Sequence, residues 1–124
     1  MRLHGLFILA AFAVVGCGGP KLVPVSGKVL HKGSGLTAGG IYLHPASGNL
    51  WTGERPSSVL ETHGGFDFQT TPHGRGVPVG SWKVTLSPAL ANRVRRPELA
   101  DPQKTLWTLE VSESGVKDHI FEVK

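Results

Sequence analysis

Cys17 is the only cysteine in the 124 residues, and it closes the run Val14-Val15-Gly16-Cys17. Those residue types in that order have the chemistry of a lipobox. Gly16 is small enough for a signal peptidase to reach the backbone, and the thiol that follows is the one nucleophile suited to a thioether-linked lipid. An exported domain of this size often relies on paired cysteines, and a single thiol in an oxidising compartment has no partner. Acylation would cap it. The bland alternative, an incidental buried cysteine, fits poorly because Cys17 lies between glycines rather than in an apolar pattern.

The remaining chemistry-bearing residues show no reaction-centre motif in the sequence. Beyond residue 17 there are five histidines, His31, His44, His63, His73 and His119, with no short metal-ligand spacing and no second cysteine to join them, so no metal or other cofactor is read. Nucleophilic catalysis needs a Ser, Thr or Cys with a base and an orienting acid. Serines are frequent, but no Gly-x-Ser-x-Gly elbow occurs, and the reading is non-enzymatic. Of three tryptophans, Trp82 aligns with Val84 and Leu86 and Trp107 with Leu109 and Val111, the phase of core residues; Trp51 lies in a loop and is the candidate ligand contact, as in a carbohydrate-binding face. Arg93, Arg95 and Arg96 form a basic cluster that reads as a solvated loop, with phosphate head groups or an acidic envelope polymer as the alternative.

These residues are carried by one leader and one small domain. Met1 to His4 supply a short basic segment and residues 5–15 an apolar run of eleven, the length of a signal peptide and well short of the roughly 20 residues that span a bilayer. Residues 1–16 are expected to be removed, residues 17–22 to act as a lipidated tether, and residues 23–124 to form the domain. Glycine (17) and proline (9) are abundant without a fixed repeat, which excludes collagen and fits many turns between strands. The formal charge of +4 is spread along the chain, so nucleic acid is not implied.

Alternation of apolar and polar residues, the period of a half-buried strand, marks residues 23–30, 40–44, 81–87 and 107–112. Residues 57–62 and 66–70, separated by His63-Gly64-Gly65, read as a hairpin with Phe66 and Phe68 on one face. A last strand ends in Phe121 and Val123, with His119 in its inward phase. Residues 88–105 are polar and proline-kinked, with one helical turn expected over 89–94. Seven strands at short spacing predict an all-β, antiparallel Greek-key sandwich.

With the strands placed, the chain beyond the tether resembles the small lipoproteins of planctomycete-type bacteria that carry a carboxypeptidase-regulatory-like, or transthyretin-like, domain. Four segments carry the likeness: Val25-Ser26-Gly27-Lys28-Val29, Glu61-Thr62-His63-Gly64-Gly65-Phe66, Val79-Gly80-Ser81-Trp82-Lys83-Val84-Thr85, and Pro97-Glu98-Leu99-Ala100-Asp101-Pro102 leading into residues 106–111. The resemblance implies a prealbumin-like sandwich acting as a non-catalytic accessory. The family hairpin carries an acidic pair before its glycine; Glu61 and His63 stand there, so no calcium contact is carried over. A related fold hosts a hydrolase of purine breakdown, whose Tyr-Arg-Gly-Ser ending is absent from residues 120–124.

The expectation is an exported domain anchored in the membrane through acylated Cys17, with an envelope protein or polysaccharide as partner. Gly18, where an inner-membrane retention signal would place aspartate, favours the outer membrane. A carbohydrate-binding module using Trp51 is the alternative.

Overall fold

The computed structural model describes residues 20–124. Their strands are, in chain order, β1 (Leu22–Val23), β2 (Val25–His31), β3 (Ser34–Gly35), β4 (Gly40–Pro45), β5 (Ser57–Val59), β6 (Gly65–Asp67), β7 (Gln69–Thr70), β8 (Gly74–Arg75), β9 (Val77–Pro78), β10 (Gly80–Leu86), β11 (Thr108–Val111) and β12 (Val116–Val123). One short helix, α1 (Pro88–Arg93), and 3-10 turns at Thr62–Gly64 and Pro97–Ala100 interrupt them. The protein is an all-β sandwich. A six-stranded antiparallel sheet runs β11-β10-β4-β5-β7-β8; a smaller sheet runs β12-β2-β3, with β6 also on β2, and β1 pairs with β9.

All seven expected strand segments contain strands, and alternation explains their burial. On β4 and β10 the register sets Leu43 against Val84 and Ile41 against Leu86, all turned inward, while His44 faces Lys83 and Tyr42 faces Thr85 on the outer side. Val25 and Val29 of β2, Phe66, Phe121 and Val123 answer from the smaller sheet. Trp82 is wholly buried, and its indole N–H donates to the Pro78 carbonyl at 3.0 Å, which satisfies the one polar atom of the ring. The core also takes in Val23 and, from outside the alternating runs, Leu36, Leu60, Val77, Leu90 and Leu99 of the 3-10 turn Pro97–Ala100.

The two-residue turn between β2 and β3 is dictated locally. Lys32 (φ 54°) and Gly33 (φ 81°) both lie in the left-handed region between paired His31 and Ser34, the geometry that suits the twist of a tight hairpin.

Three expectations are corrected. The hairpin over residues 57–70 forms only in part: β5 pairs with β7 at Ser57 and Gln69, and the Glu61 N–H donates to the Gly65 carbonyl at 2.9 Å. But β6 between them pairs with β2 in the smaller sheet, so the chain passes from one sheet to the other at Thr62–Gly64 and back before β7. His63 (φ 66°) and Gly64 (φ 81°) make the crossing, and a side chain at Gly64 would collide with the Val29 carbonyl. The ladders are antiparallel except one, since β12 runs parallel to β2. After β11 the turn at residues 112–115 docks on Pro24, with the Val116 N–H donating to the Pro24 carbonyl at 2.9 Å, and carries the chain to the other sheet instead of folding back. Trp107 is half-buried rather than core: β11 is an edge strand, so the ring is covered on one side by Phe121, stacked at 4.9 Å.

Candidate functional site

The outer face of the six-stranded sheet holds the principal concave surface among the described residues. Because Ile41 and Leu43 fill the core, Tyr42 and His44 must face outward, and β5 brings Ser57 beside Tyr42 while Gln69 of β7 pairs with Ser57. Tyr42 lies back over its own strand: a side chain on Gly40 would come within 2.7 Å of the phenol oxygen, so glycine there lets the ring lie flat. Three recesses meet at this ring. The largest, about 910 Å³, is walled by Ser57, Glu61, Asp67, Gln69, Thr71, Arg75 and Ser87; one of about 330 Å³ holds His44, Arg55 and Thr85; one of about 160 Å³ lies between Glu54 and Thr71.

The polar groups of this face are fixed by one another. Arg75 Nε lies 3.1 and 3.0 Å from the two Asp67 carboxylate oxygens, and the Asp67 N–H donates to Ser58 Oγ at 3.0 Å. His44 Nε2 is 2.9 Å from Thr85 Oγ1, and Arg55 Nη1 approaches His44 Nδ1 at 3.5 Å. A guanidinium only donates, so Nδ1 is the acceptor and Nε2–H points to the threonine. Burial, and then the Arg55 charge, hold the imidazole pKa below its ordinary value. Thr85 is buried, the histidine donates to it, and the group behind the histidine is a cation where a nucleophile–base–acid triad has an acid. Hydroxyls, an amide and one flat aromatic face are suited instead to hydrogen bonding and stacking.

The residues singled out from sequence are dispersed. Gly16 and Cys17 lie outside the described residues. Trp51 does not line the groove; its indole N–H donates to the Glu54 carbonyl at 2.9 Å, Gly53 lies beneath the ring, and His73 meets it edge-on at 6.1 Å. His119 keeps its inward phase after a bulge at Asp118 (φ 59°) and packs edge-on against Phe121 at 4.6 Å. No three His, Cys, Asp or Glu side chains converge among the described residues, nor is any helix there long and apolar enough to cross a membrane. Arg93, Arg95 and Arg96 do come together, around a recess they share with His31 and Lys32.

No family model, curated protein or solved structure matches the chain.

Sequence reasoning missed the Tyr42 groove, although part of its signal was present. Tyr42 and His44 stand in the outward phase of a strand, and an aromatic residue on the outward phase is a candidate surface contact. What the pattern could not supply was the pairing of β4 with β5, which brings Ser57, with Gln69 beside it, to the same ring.

Proposed function

We propose that the chain is a lipid-anchored, exported β-sandwich domain with a non-catalytic binding or structural role at the cell envelope. The single observation that carries this reading is Cys17: a lone thiol behind Gly16 and an apolar run of eleven residues, five positions before the first strand residue, Leu22. At about 3.3–3.6 Å per residue, those five positions reach no more than roughly 18 Å, so the anchored domain would stand close to the bilayer. One myristoyl chain holds a protein only marginally, but each further buried CH₂ adds about 0.8 kcal/mol, so a diacyl or triacyl cysteine would be a lasting anchor. The resemblance to carboxypeptidase-regulatory-like lipoproteins supports the same role, and Gly18 favours the outer membrane. Fractionation of cells expressing the wild type and Cys17→Ala tests it: the wild type should sediment with membranes and the variant should not, while equal partition of both would remove the anchor.

The second reading is an envelope carbohydrate-binding module. Trp51 is one candidate contact, and the hydroxyl-lined groove beneath Tyr42 is the observation that favours a sugar-sized ligand. Titration with envelope polysaccharide separates the two positions: loss of binding in Trp51→Ala, in Tyr42→Ala, or in neither assigns the contact or dismisses the reading.

A further inference from the structure

The chain's basic excess is gathered at one end of the sandwich. A recess of about 540 Å³ is lined by His31 and Lys32 from the β2–β3 turn, Arg93, Arg95 and Arg96 from the end of α1 and the loop after it, and Lys124 beyond β12. The only other lining residue is Val94, so no carboxylate side chain faces the recess. Setting aside its five Lys and Arg leaves eight of the chain's thirteen, against nine Asp and Glu; the rest of the molecule is close to neutral. None of the five makes an ion pair with a carboxylate side chain among the described residues.

The cluster is also built. Arg93 Nη2 donates to the Thr37 carbonyl at 2.9 Å, and Arg96 Nε donates to the Lys124 main-chain oxygen at 2.7 Å, so two guanidinium groups are held in place with donors to spare. Even a full negative charge at that Lys124 oxygen would leave four cations uncompensated. Lys32 and Arg95 both occupy the left-handed region, φ 54° and 61°, which the turns around them hold. Like charges gathered without counter-charges repel one another, and a multiply charged anion relieves that repulsion.

We propose that this recess binds an anionic polymer, one that carries phosphate or carboxylate groups repeatedly along its length. The choice of a polymer over the anchoring bilayer rests on the Cys17 reading. The tether enters at β1, beside Val25, whereas His31 lies at the far end of β2, roughly 20 Å away at 3.3 Å per residue, beyond the Debye length of about 8 Å at physiological salt. With the β1 end turned to the bilayer, head groups of the anchoring leaflet would be screened from the recess. A polymer in the envelope space is not.

The test uses the full chain in non-ionic detergent and a short, end-labelled inorganic polyphosphate, followed by fluorescence anisotropy. Binding should weaken steeply with salt, as several counterions are released. Lys32→Gln/Arg95→Gln removes two charges whose side chains make no hydrogen bond among the described residues, and it should weaken binding about tenfold or more. Lys104→Gln/Lys117→Gln removes the same charge outside the recess and should leave affinity within about twofold of the wild type. Both double variants should melt with the wild type. Equal losses in the two variants would mean generic charge attraction and overturn the site; so would competition by inorganic phosphate as effective, per phosphate, as the polymer, or preference for anionic phospholipid vesicles. Cys17→Ala should bind polyphosphate as the wild type does, so failure of the anchor and failure of the recess are read separately.

Discussion

Replacing Trp82 by alanine should remove a large part of the domain's stability. The side chain is fully buried in the core cluster that also holds Val84 and Leu86, and truncation of a buried tryptophan costs about 3–5 kcal/mol through lost transfer energy and the cavity left behind. The substitution also strips the Pro78 carbonyl of the indole N–H that reaches it at 3.0 Å, which adds about 1 kcal/mol. Together about 4–6 kcal/mol is lost, against the 5–15 kcal/mol that holds a typical domain. Urea denaturation followed by far-ultraviolet circular dichroism reads this directly. With a slope of about 1.5 kcal/mol per molar, the midpoint should fall by about 3–4 M, or the variant should already be unfolded in water. Trp82→Phe separates the two contributions, since it keeps most of the volume and loses the hydrogen bond; that bond alone should lower the midpoint by about 0.7 M. A Trp82→Ala midpoint unchanged from the wild type would refute the core assignment and with it the packing of β10.

Three further outcomes follow from other parts of the fold. Gly27→Ala places a methyl group against the His119 carbonyl and within 2.8 Å of the Phe66 ring, so it should force β12 from β2, cost about 2–3 kcal/mol and speed amide exchange along residues 116–123. Thr70→Val removes the hydroxyl that donates to the Gly76 carbonyl at 2.7 Å inside the core and should cost about 1–3 kcal/mol in the same urea assay. His44 is held below its ordinary pKa of 6.5 by burial and by Arg55. As the pH falls, the unfolded chain therefore binds a proton before the folded one does; His44 contributes no loss above about 6.5 and a progressive loss from there down to its depressed folded value. Thermal melts should show that acid-side decline flattened in His44→Asn, and an unaltered pH profile would contradict the environment described for the ring.

The longer strands were legible in the sequence because each carries its period within a few residues, whereas the two-residue strands β3, β8 and β9 lie in stretches that read as turn or loop. Trp82, Val84 and Leu86 against Lys83 and Thr85, and Ile41 and Leu43 against Tyr42 and His44, alternate as a sheet with one buried face requires. The short helix was legible for a similar local reason, with Pro88 at its first turn where a missing N–H costs nothing. What was not legible was set by distant partners. His63-Gly64-Gly65 has the composition of a hairpin turn and does join the paired β5 and β7, but the Val29 carbonyl and Leu36 close around Gly64, and β6 after it pairs with β2 of the other sheet. Trp107 has the phase of a core residue but stands just before β11, an edge strand. The candidate sites divide in the same way: Cys17 is a local motif, whereas the Tyr42 groove and the basic recess exist only after β5, β7, the β2–β3 turn and the residues after α1 have been brought together.

The most direct test of the proposed anchor is the intact mass of the full-length product extracted from membranes. A mass equal to residues 17–124 plus acyl chains, with the lipid mapped to Cys17, is the expected result. The mass of the unmodified 124-residue chain would contradict it, and the location and role would then have to rest on the β-sandwich alone.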